Sequence, residues 1–570
     1  MTSTTPSQWN ISHIHLLMKD TTQPFVDKSR PVSLTNILRR FFEKVLLKRS
    51  LGTQWAHLHP NQAGFRAGWS TISHILLNDE LCRSKTPIST YLDLKNAFDM
   101  VDHKYLIRIL EERGCPRSTI NLLQSLMIEN CKSRISVNHR LAKDEIIRTR
   151  GLFQGSILSP FLFNLVIDNL AQRLSLELPE LSFLLFADDI TLKTKDWTTI
   201  QRALDICYEW SLEAKLSWGI NKCGVVSNLD YFPIVLGDAV IPWQTKYKYL
   251  GLPTTAKGVD WVGYLSYITE RSRNFINALK TKKTCWNYHS RIVIYRTFIR
   301  PIVEYCLPLL VKWINKQTKK SEYWDILLNC YSDGLEWIFD KSRPSRLLQS
   351  ISGLGSFQFR TEQLIASAAY HLRSLDSVNP LTVHHKTNPI CNNRNFIISG
   401  CFDSSLLSEW NRYSNANENS LVKYSYKGWI KNQKLLSIEE TKKDILPRYI
   451  LKRSRNASLV DRFLLLPLQL ARKILSWRCN TAFLHANCPV CGSSFNRGHL
   501  NRCGLLELVG PSHLQTQNSR TFIEELTKFK SQGLTGDGYT PLDFYVNNQD
   551  YVSFLDLYDQ LRKIIYKDND

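Results

Sequence analysis

The sequence predicts an α+β fold in which a small sheet carries acidic residues and a helical, strongly basic region follows it. Residues 184–190, LLFADDI, place Asp188 and Asp189 in the middle of an apolar run, and Asp93 ends a short β-prone run well upstream. Free charges are expensive to bury, so a cation is expected where these residues meet. Lysine and arginine are concentrated after residue 270, which indicates a second region of different character.

The chemistry expected of the acidic residues is metal binding. If two strands bring Asp93 beside Asp188, their oxygens suit two Mg²⁺ or Mn²⁺ ions, with Asp189 assisting. In two-metal sites the ions lie ~3.5–4 Å apart and hold both oxygens of an in-line phosphoryl displacement. For either acidic motif alone, the ordinary alternative is the solvated turn of a hairpin.

A glycine-rich turn lies between the two acidic motifs. Residues 150–160 read RGLFQGSILSP and run into the apolar segment 161–170. Gly151 and Gly155 permit close backbone approach, and Gln154 can hydrogen-bond a base or sugar. The alternative is a plain helix-capping loop.

Taken in the order Asp93, Gln154–Gly155 and Asp188–Asp189, the three elements resemble motifs A, B and C of the reverse transcriptases. Further segments are similar to the non-LTR, LINE-type retrotransposon branch; they are Arg30–Asn36, Gln62–Thr71, Trp218–Val226, Tyr249–Leu252 and Ile294–Tyr305. The resemblance implies a right-hand polymerase with fingers, a palm built on an antiparallel sheet and a helical thumb. A mostly helical C-terminal region with a small zinc knuckle would follow.

The resemblance also implies roles for single residues. Lys19 and Arg30 would bind the triphosphate, and Lys222 would protonate the departing pyrophosphate. Phe153 and Gly219 depart from the residues common in the family at their positions. The turn that would support the primer end consists of Tyr249, Leu250 and Gly251.

Phe98 bears on the choice of nucleotide. It stands five positions after Asp93, and an aromatic ring there cannot hydrogen-bond a 2′-hydroxyl and would crowd it. The pocket is therefore expected to favour dNTPs. An RNA-templated RNA polymerase is the rival enzyme on this point.

A second metal site is predicted near the C-terminus. Cys488, Cys491, His499 and Cys503 follow the pattern C-x2-C-x7-H-x3-C. Three thiolates and an imidazole complete a tetrahedral Zn²⁺ shell, and the two close spacings suit a zinc knuckle. The chain has no secretory signal, so we expect an intracellular protein with reduced thiols.

The charge of the chain favours a nucleic-acid partner. It has 73 Lys and Arg against 51 Asp and Glu, a net charge of +22, which attracts phosphate backbones. RNA template and DNA primer or target DNA are the expected partners. No apolar stretch has the ~20 residues needed to cross a bilayer. Between 271 and 320 the only acid is Glu304, against the bases Arg271, Arg273, Lys280, Lys282, Lys283, Arg291, Arg296, Arg300, Lys312, Lys316, Lys319 and Lys320.

Six segments are expected along the chain. The local patterns predict extended structure at the start of the chain and then a helix across Leu38–Leu47. They also predict a strand over Ser89–Leu94, a hairpin over Phe183–Lys195 with Asp188–Asp189 at its turn, and a helix over Thr198–Lys215. The segments are N-terminally truncated fingers (1–88), palm with motifs A to E (89–260), basic helical thumb (261–345), connector (346–480), zinc knuckle (481–505) and tail (506–570).

The function that the resemblance implies is RNA-directed DNA synthesis by the polymerase of a non-LTR retrotransposon, acting in the nucleus. No endonuclease constellation is evident in the sequence, and the source of that activity is left open, with a separate endonuclease as one candidate partner. The alternative is a catalytically inactive retrotransposon remnant that only binds nucleic acid. Nothing in the sequence predicts an oligomeric state.

Overall fold

A computed structural model of the protein divides into two compact units. The first contains Met1–Tyr264 and Ala368–Cys401, and the second contains Leu265–Ser367 and Phe402–Asp570. The predictions for Lys19, His499 and Cys503 lie outside the residues that the structure describes. Those residues are 4–18, 29–83, 87–129, 131–137, 140–281, 283–340, 348–349, 352–387, 405–416, 425–445 and 466–478, with 486, 488, 489, 491, 493, 558, 559, 561 and 562.

The first unit begins with extended chain, as predicted. Strands β1 (Ile11–Met18) and β2 (Ser29–Thr35) pair in antiparallel fashion. Helix α1 (Ile37–Ser50) follows, and the Asn36 side chain caps it by accepting a hydrogen bond from the Leu38 backbone N–H at 2.8 Å. An N-cap of this kind satisfies one of the backbone donors that a helix start leaves unpaired. The helix predicted in this segment is confirmed.

Helices and short strands build the rest of the first unit, often in runs of one kind. Many of the helices begin at a polar cap, as α4 does at Asp102 and α7 at Asp196. In order they are α2 (Thr71–Arg83), β3 (Ile88–Asp93), α3 (Ala97–Met100), α4 (His103–Glu112), α5 (Arg117–Met127), β4 (Lys132–Val137), β5 (Arg140–Leu141), β6 (Ile146–Ile147), α6 (Ser159–Glu177), β7 (Ser182–Phe186), β8 (Asp189–Thr194), α7 (Trp197–Ala214), β9 (Gly224–Ser227), β10 (Val235–Leu236), β11 (Ala239–Val240), β12 (Tyr247–Tyr249), β13 (Leu252–Thr255) and β14 (Gly258–Val259).

A four-stranded antiparallel sheet positions the acidic motifs. Its strand order is β7-β8-β3-β9, and its register places Asp93 opposite Asp189. The predicted strand and hairpin are therefore confirmed. One detail of the hairpin prediction was wrong: the turn is made of Ala187 and Asp188, whereas Asp189 already pairs with Phe186 as the first residue of β8.

The two faces of this sheet have different surroundings. Leu92, Ile190 and Leu192 belong to a large apolar core that also contains residues of α6 and α7. Successive side chains on a strand point to opposite faces. The face that carries Asp93 and Asp189 therefore continues into Tyr91 and Thr191, and then into Ser89 and Lys193, which are the next same-face pairs in the register.

Helices dominate the described residues of 261–345, as predicted. The described parts of 346–480 are helical as well, and a π-helical turn lies at Tyr295–Ile299. None of the described helices combines the length and apolar character needed to cross a bilayer. The helices are α8 (Trp261–Lys280), α9 (Tyr288–Ile294), α10 (Arg300–Glu304), α11 (Leu307–Ile314), α12 (Lys320–Phe339), α13 (Phe357–Arg373), α14 (Pro380–Thr387), α15 (Ser405–Ala416), α16 (Tyr426–Ile445) and α17 (Leu468–Arg478).

Part of the basic run of the second unit is used inside the fold. The Arg291 side chain is fully buried, and it donates hydrogen bonds to the Ile338 carbonyl at 3.0 Å and to Asp340 at 2.8 Å. Lys283 also pairs with Asp340, at 2.5 Å. Arg291 therefore cannot belong to a solvated basic surface, whereas Arg271 and Arg296 are exposed.

Candidate active site

Three carboxylates come together at one end of the four-stranded sheet. Asp93 ends β3, Asp189 begins β8 in register with it, and Asp188 occupies the turn between β7 and β8. Burial raises the pKa of Asp189 to about 7, and the negative charges of Asp188 and Asp93 add to the effect. Burial also raises the pKa of Asp188, with Asp93 contributing. The site thus concentrates negative charge where water screens it poorly.

Gln62 fixes the turn that presents Asp188. Its Oε1 accepts hydrogen bonds from the backbone N–H groups of Ala187 at 3.0 Å and of Gly64 at 2.9 Å. A Cβ at Gly64 would lie 2.3 Å from the Ala187 nitrogen, so only glycine allows this approach. The Gln62–Thr71 segment was expected to match the family, but the sequence did not predict this supporting role.

Lys222 lies at the open side of the carboxylates. Its Nζ is 3.1 Å from Asp93 Oδ2, and its side chain is 67% exposed. The Gly219 N–H donates to the Asp93 carbonyl at 2.8 Å. A Cβ at Gly219 would lie 3.0 Å from Asp93 Oδ2, so a larger residue would press on the carboxylate. This close approach gives Gly219, a departure from the family pattern, a physical reason.

Arg30 is exposed on β2, and its positive charge acts on the same site. It lowers the pKa of Asp188, although burial outweighs it and the net shift is upward. The structure therefore brings Arg30 and Lys222, predicted from separate motifs, within electrostatic reach of one carboxylate.

Gln154 is held between helix α3 and strand β2. Its Nε2 donates to Asp99 Oδ2 at 2.7 Å, and its carbonyl accepts from the Ser33 N–H at 2.7 Å. Gly155 has φ +124°, and a Cβ there would lie 2.5 Å from the Ser33 carbonyl oxygen. The close approach of the Ser33 backbone therefore explains why this turn requires glycine, as predicted. The sequence did not predict Asp99 as the partner of Gln154, although its position directly after Phe98 places it near the predicted nucleotide pocket.

Phe98 is half-buried beside this turn. Its ring stacks on Phe163 at 4.6 Å between centroids and meets Phe65 edge-on at 6.1 Å. The Leu152 N–H donates to the Phe98 carbonyl at 2.8 Å. Contacts on both the ring and the backbone therefore hold this side chain in place.

The predicted primer-supporting turn is the tip of the β12–β13 hairpin. Leu250 and Gly251 have φ +44° and +85°, and two positive φ values are what a tight two-residue hairpin turn requires. Tyr249 is fully buried against Tyr91, with ring centroids 5.3 Å apart, and burial raises the pKa of its phenol. Tyr249 therefore anchors the hairpin that carries this turn.

The metal predictions remain predictions. Within the described part of the chain, no group of three or more His, Cys, Asp and Glu side chains is arranged to hold a metal ion. The carboxylates of Asp93, Asp188 and Asp189 interact through their charges without forming a ready-made shell of three ligands. Like charges repel, so such a shell is unfavourable without a cation.

The predicted zinc ligands can be followed only in part. Cys488 is buried and Cys491 is exposed, and neither forms a disulfide. The Cys488 N–H donates to the Ser493 carbonyl at 2.8 Å, which closes a tight turn around the first two predicted ligands. The other two, His499 and Cys503, lie outside the described residues.

Comparison with known proteins finds a family that matches the part of the chain carrying these residues. Residues 18–254 match the family described as "Reverse transcriptase (RNA-dependent DNA polymerase)". The chain carries a reverse transcriptase domain. That domain contains Asp93, Asp188, Asp189, Lys222 and the Gln154 turn, so one domain holds the candidate site.

The relatives of the reverse transcriptase domain are retrotransposon proteins of the non-LTR kind. The chain is 29% identical over 200 residues to a Pol polyprotein of type-1 retrotransposable element R2 from Popillia japonica, covering 33% of this chain and 28% of the relative. It is 26% identical over 254 residues to the R2DM Pol polyprotein of Drosophila melanogaster, covering 40% and 24%. This chain therefore spans only about a quarter of the length of these curated relatives.

Among solved structures, telomerase from Candida tropicalis in complex with a fragment of telomeric RNA is similar over 67% of this chain and 65% of its own. The sequence identity is 11% and the TM-score is 0.35. A likeness at that level carries no argument about mechanism.

Proposed function

We propose that this chain is an RNA-directed DNA polymerase that extends a DNA primer on an RNA template. The observation that carries the proposal is the β3–β8 register, which sets Asp93 opposite Asp189 with Asp188 in the adjoining turn. The match of residues 18–254 to the reverse transcriptase family supports it. The template, the primer or target DNA and the dNTPs are the proposed partners, and a nuclear reaction would give access to chromosomal DNA.

Asp93, Asp188 and Asp189 would hold two Mg²⁺ ions, or Mn²⁺ in their place. The donor set fits, because all three are hard carboxylate ligands, and burial together with the charges of Asp188 and Asp93 raises the pKa of Asp189 despite the opposing charge of Lys222. When bound, such ions lower the pKa of the primer 3′-hydroxyl and stabilise charge on the transferring phosphoryl group. Zn²⁺ at the C-terminal cysteines would have a structural role.

The side chains around the carboxylates would bind and orient the nucleotide. Arg30, together with Lys19, would neutralise the triphosphate through charge-assisted hydrogen bonds. The exposed Lys222 ammonium, released from Asp93, would donate a proton to the departing pyrophosphate. Gln154 would carry the template–nucleotide pair, and the turn Tyr249, Leu250 and Gly251 would support the primer end.

Phe98 would select dNTPs over rNTPs. Its ring is held by Phe163 and Phe65, so it cannot move aside cheaply for a 2′-hydroxyl. Replacing it with a smaller side chain, Phe98→Val, should raise rNTP incorporation relative to dNTP by about tenfold or more, because a steric barrier of 1.4 kcal/mol corresponds to that factor. Equal discrimination in both proteins would contradict this role.

The direct test is Mg²⁺-dependent incorporation of dNTPs on poly(rA)/oligo(dT) by the purified chain. Asp188→Ala should abolish incorporation and leave RNA binding intact. The matched control is Asp238→Asn, since Asp238 is an exposed aspartate in the turn of another hairpin, β10–β11, and should be tolerated. Incorporation by Asp188→Ala at the wild-type rate would refute the assignment. RNA binding without incorporation by the wild-type chain would favour the inactive remnant.

A further inference from the structure

A second unusual group lies on the same sheet face, away from the carboxylates. The side chain of Lys193 on β8 is fully buried. Within the part of the chain that the structure describes, no ion pair involves it. Its Nζ donates to Ser89 Oγ at 2.7 Å and contacts Cys82 Sγ at 2.9 Å. The Tyr91 ring centroid lies 5.7 Å from this Nζ. A buried lysine whose neighbours are a hydroxyl, a thiol and a ring face requires an explanation, because none of them carries a full negative charge to compensate an ammonium.

The protein brings this pair together over a long distance in sequence. Cys82 lies on α2 and Lys193 on β8, so 111 positions separate them. Ser89 stands directly opposite Lys193 in the β3–β8 register and holds the amine in place. Cys82 is 7% exposed and lies 3.9 Å from the same Ser89 hydroxyl. Amine, hydroxyl and thiol therefore form one compact cluster between α2 and the sheet.

Charge balance makes this pair chemically reactive. Two protonation states leave it without net charge, an amine beside a thiol and an ammonium beside a thiolate. Each of these states holds one strong nucleophile, either the amine nitrogen or the thiolate sulfur. The two other states, an ammonium beside a thiol and an amine beside a thiolate, each leave a buried charge without compensation.

We propose that Cys82 and Lys193 form a modification site at which hydrogen peroxide joins the two side chains by an S–N bond. The burial of the pair selects a small, uncharged oxidant of this kind, because a bulky reagent cannot reach a thiol that is 7% exposed. The proposal does not rest on polymerase activity.

The reaction proceeds in two balanced steps. Peroxide first oxidises Cys82 Sγ to a sulfenic acid, a two-electron step in which one molecule of water is released. The Lys193 nitrogen then attacks Sγ, the S–O bond breaks, and the hydroxyl leaves as water with one proton from the amine. Overall the thiol, the amine and one peroxide give a sulfenamide and two waters. Two equivalents of an added thiol reverse the reaction and are oxidised to a disulfide.

The cross-link would have a measurable effect on the fold. It ties α2 to β8 and closes a loop across the 111 positions between the two residues. A cross-link restricts the unfolded chain more strongly as the closed loop lengthens. Peroxide treatment should therefore raise the thermal unfolding temperature by several degrees, and a reducing thiol should reverse the rise.

The test is mass spectrometry of the folded, full-length chain after peroxide treatment and digestion without reductant. The expected product is a linked peptide pair containing Cys82 and Lys193, about 2 Da lighter than the sum of the separate peptides because two hydrogens are lost. Treatment with dithiothreitol should separate the pair. Cys82 left unmodified, oxidised without a link, or linked to a different lysine would overturn the proposal.

Cys115 is the matched internal control. It has the same 7% exposure as Cys82, but its sulfur lies 3.9 Å from the Pro116 carbonyl, and burial raises the pKa of its thiol to about 11. It should stay unmodified at the dose that links Cys82. Lys193→Met should abolish the linked pair. If that variant does not fold, Cys82→Ser, a nearly isosteric change, should abolish the reversible rise in unfolding temperature, and a rise that persists would overturn the proposal.

Discussion

Each of the two units contains a carboxylate site with charged neighbours, and the two sites differ in charge balance. In the first unit, burial raises the pKa of Asp189 to about 7, and Asp188 and Asp93 add negative charge. In the second unit, partial burial alone would raise the pKa of Asp340, but hydrogen bonds from Lys283, Arg291 and Arg472 outweigh it and lower the pKa to about 2.

The difference lies in where the compensating cations come from. Asp340 has three of them from its own chain, with N···O distances of 2.5 Å to Lys283, 2.8 Å to Arg291 and 2.9 Å to Arg472. The Asp188–Asp189 pair has a negative neighbour in Asp93, and the positive charges of Lys222 and, at Asp188, of Arg30 do not outweigh burial and repulsion. A carboxylate that the chain neutralises stabilises the fold, whereas carboxylates left with excess charge are suited to an external cation.

The largest expected effect is on dNTP incorporation, which should depend on Asp188 and not on Asp340. Asp188→Asn should lower dNTP incorporation by at least about 10³-fold, because losing a metal ligand removes several kcal/mol of transition-state stabilisation. The free energy of unfolding of this variant should not fall, because the substitution removes one of three carboxylate charges that repel one another. Asp340→Asn should keep the incorporation rate of the folded protein. Primer extension and urea denaturation of both variants would measure this, and the reverse pattern would contradict the comparison.

The next effect is on stability. Asp340→Asn should lower the free energy of unfolding by about 2–3 kcal/mol, because the fully buried Arg291 keeps its charge and loses its anionic partner. The control is Asp333→Asn, which removes one exposed ion pair with Arg273 at 3.5 Å and should cost at most about 0.5 kcal/mol. Equal losses in the two variants would show that Asp340 has no special role.

Mg²⁺ is expected to have a smaller effect on the free energy of unfolding. At ten times its dissociation constant, Mg²⁺ should stabilise the wild-type chain by about 1–2 kcal/mol, since it binds the folded state. Asp93→Asn should abolish most of this gain, and Asp340→Asn should retain it. Thermal unfolding with Mg²⁺ and with EDTA measures the difference. A gain that survives in Asp93→Asn would move the metal site elsewhere.

The smallest effect on the free energy of unfolding is expected at acid pH. The pKa of Asp340 is lowered to about 2 from an ordinary value of 3.8 in the unfolded chain. Its stabilising contribution is therefore complete above about pH 4–5 and is lost as the pH falls toward 2. Between pH 5 and 2 the wild-type chain should lose more stability than Asp340→Asn does. Parallel curves for the two proteins would exclude this contribution.

The parts of the site that could be predicted are those whose signal is local. Charges inside an apolar run marked Asp188 and Asp189, and β-prone residues before Asp93 marked its strand. The supporting residues were not predictable in this way. Gln62 acts on Ala187 across 125 positions, and Asp99 acts on Gln154 across 55. Neither partner is visible from the other's neighbourhood in the sequence.

The sequence by itself determined the family motifs, the carboxylates, the tight turn at Leu250–Gly251 and the helices that begin at polar caps, because backbone preference and hydrophobic pattern act over a few residues. The tertiary structure decided which charged side chains are paired with a partner inside the fold. It buried Arg291 against Asp340, drew Lys222 to Asp93 and set Lys193 beside Cys82. These outcomes depend on burial and on partners distant along the chain, which fix the electrostatic cost of each charge.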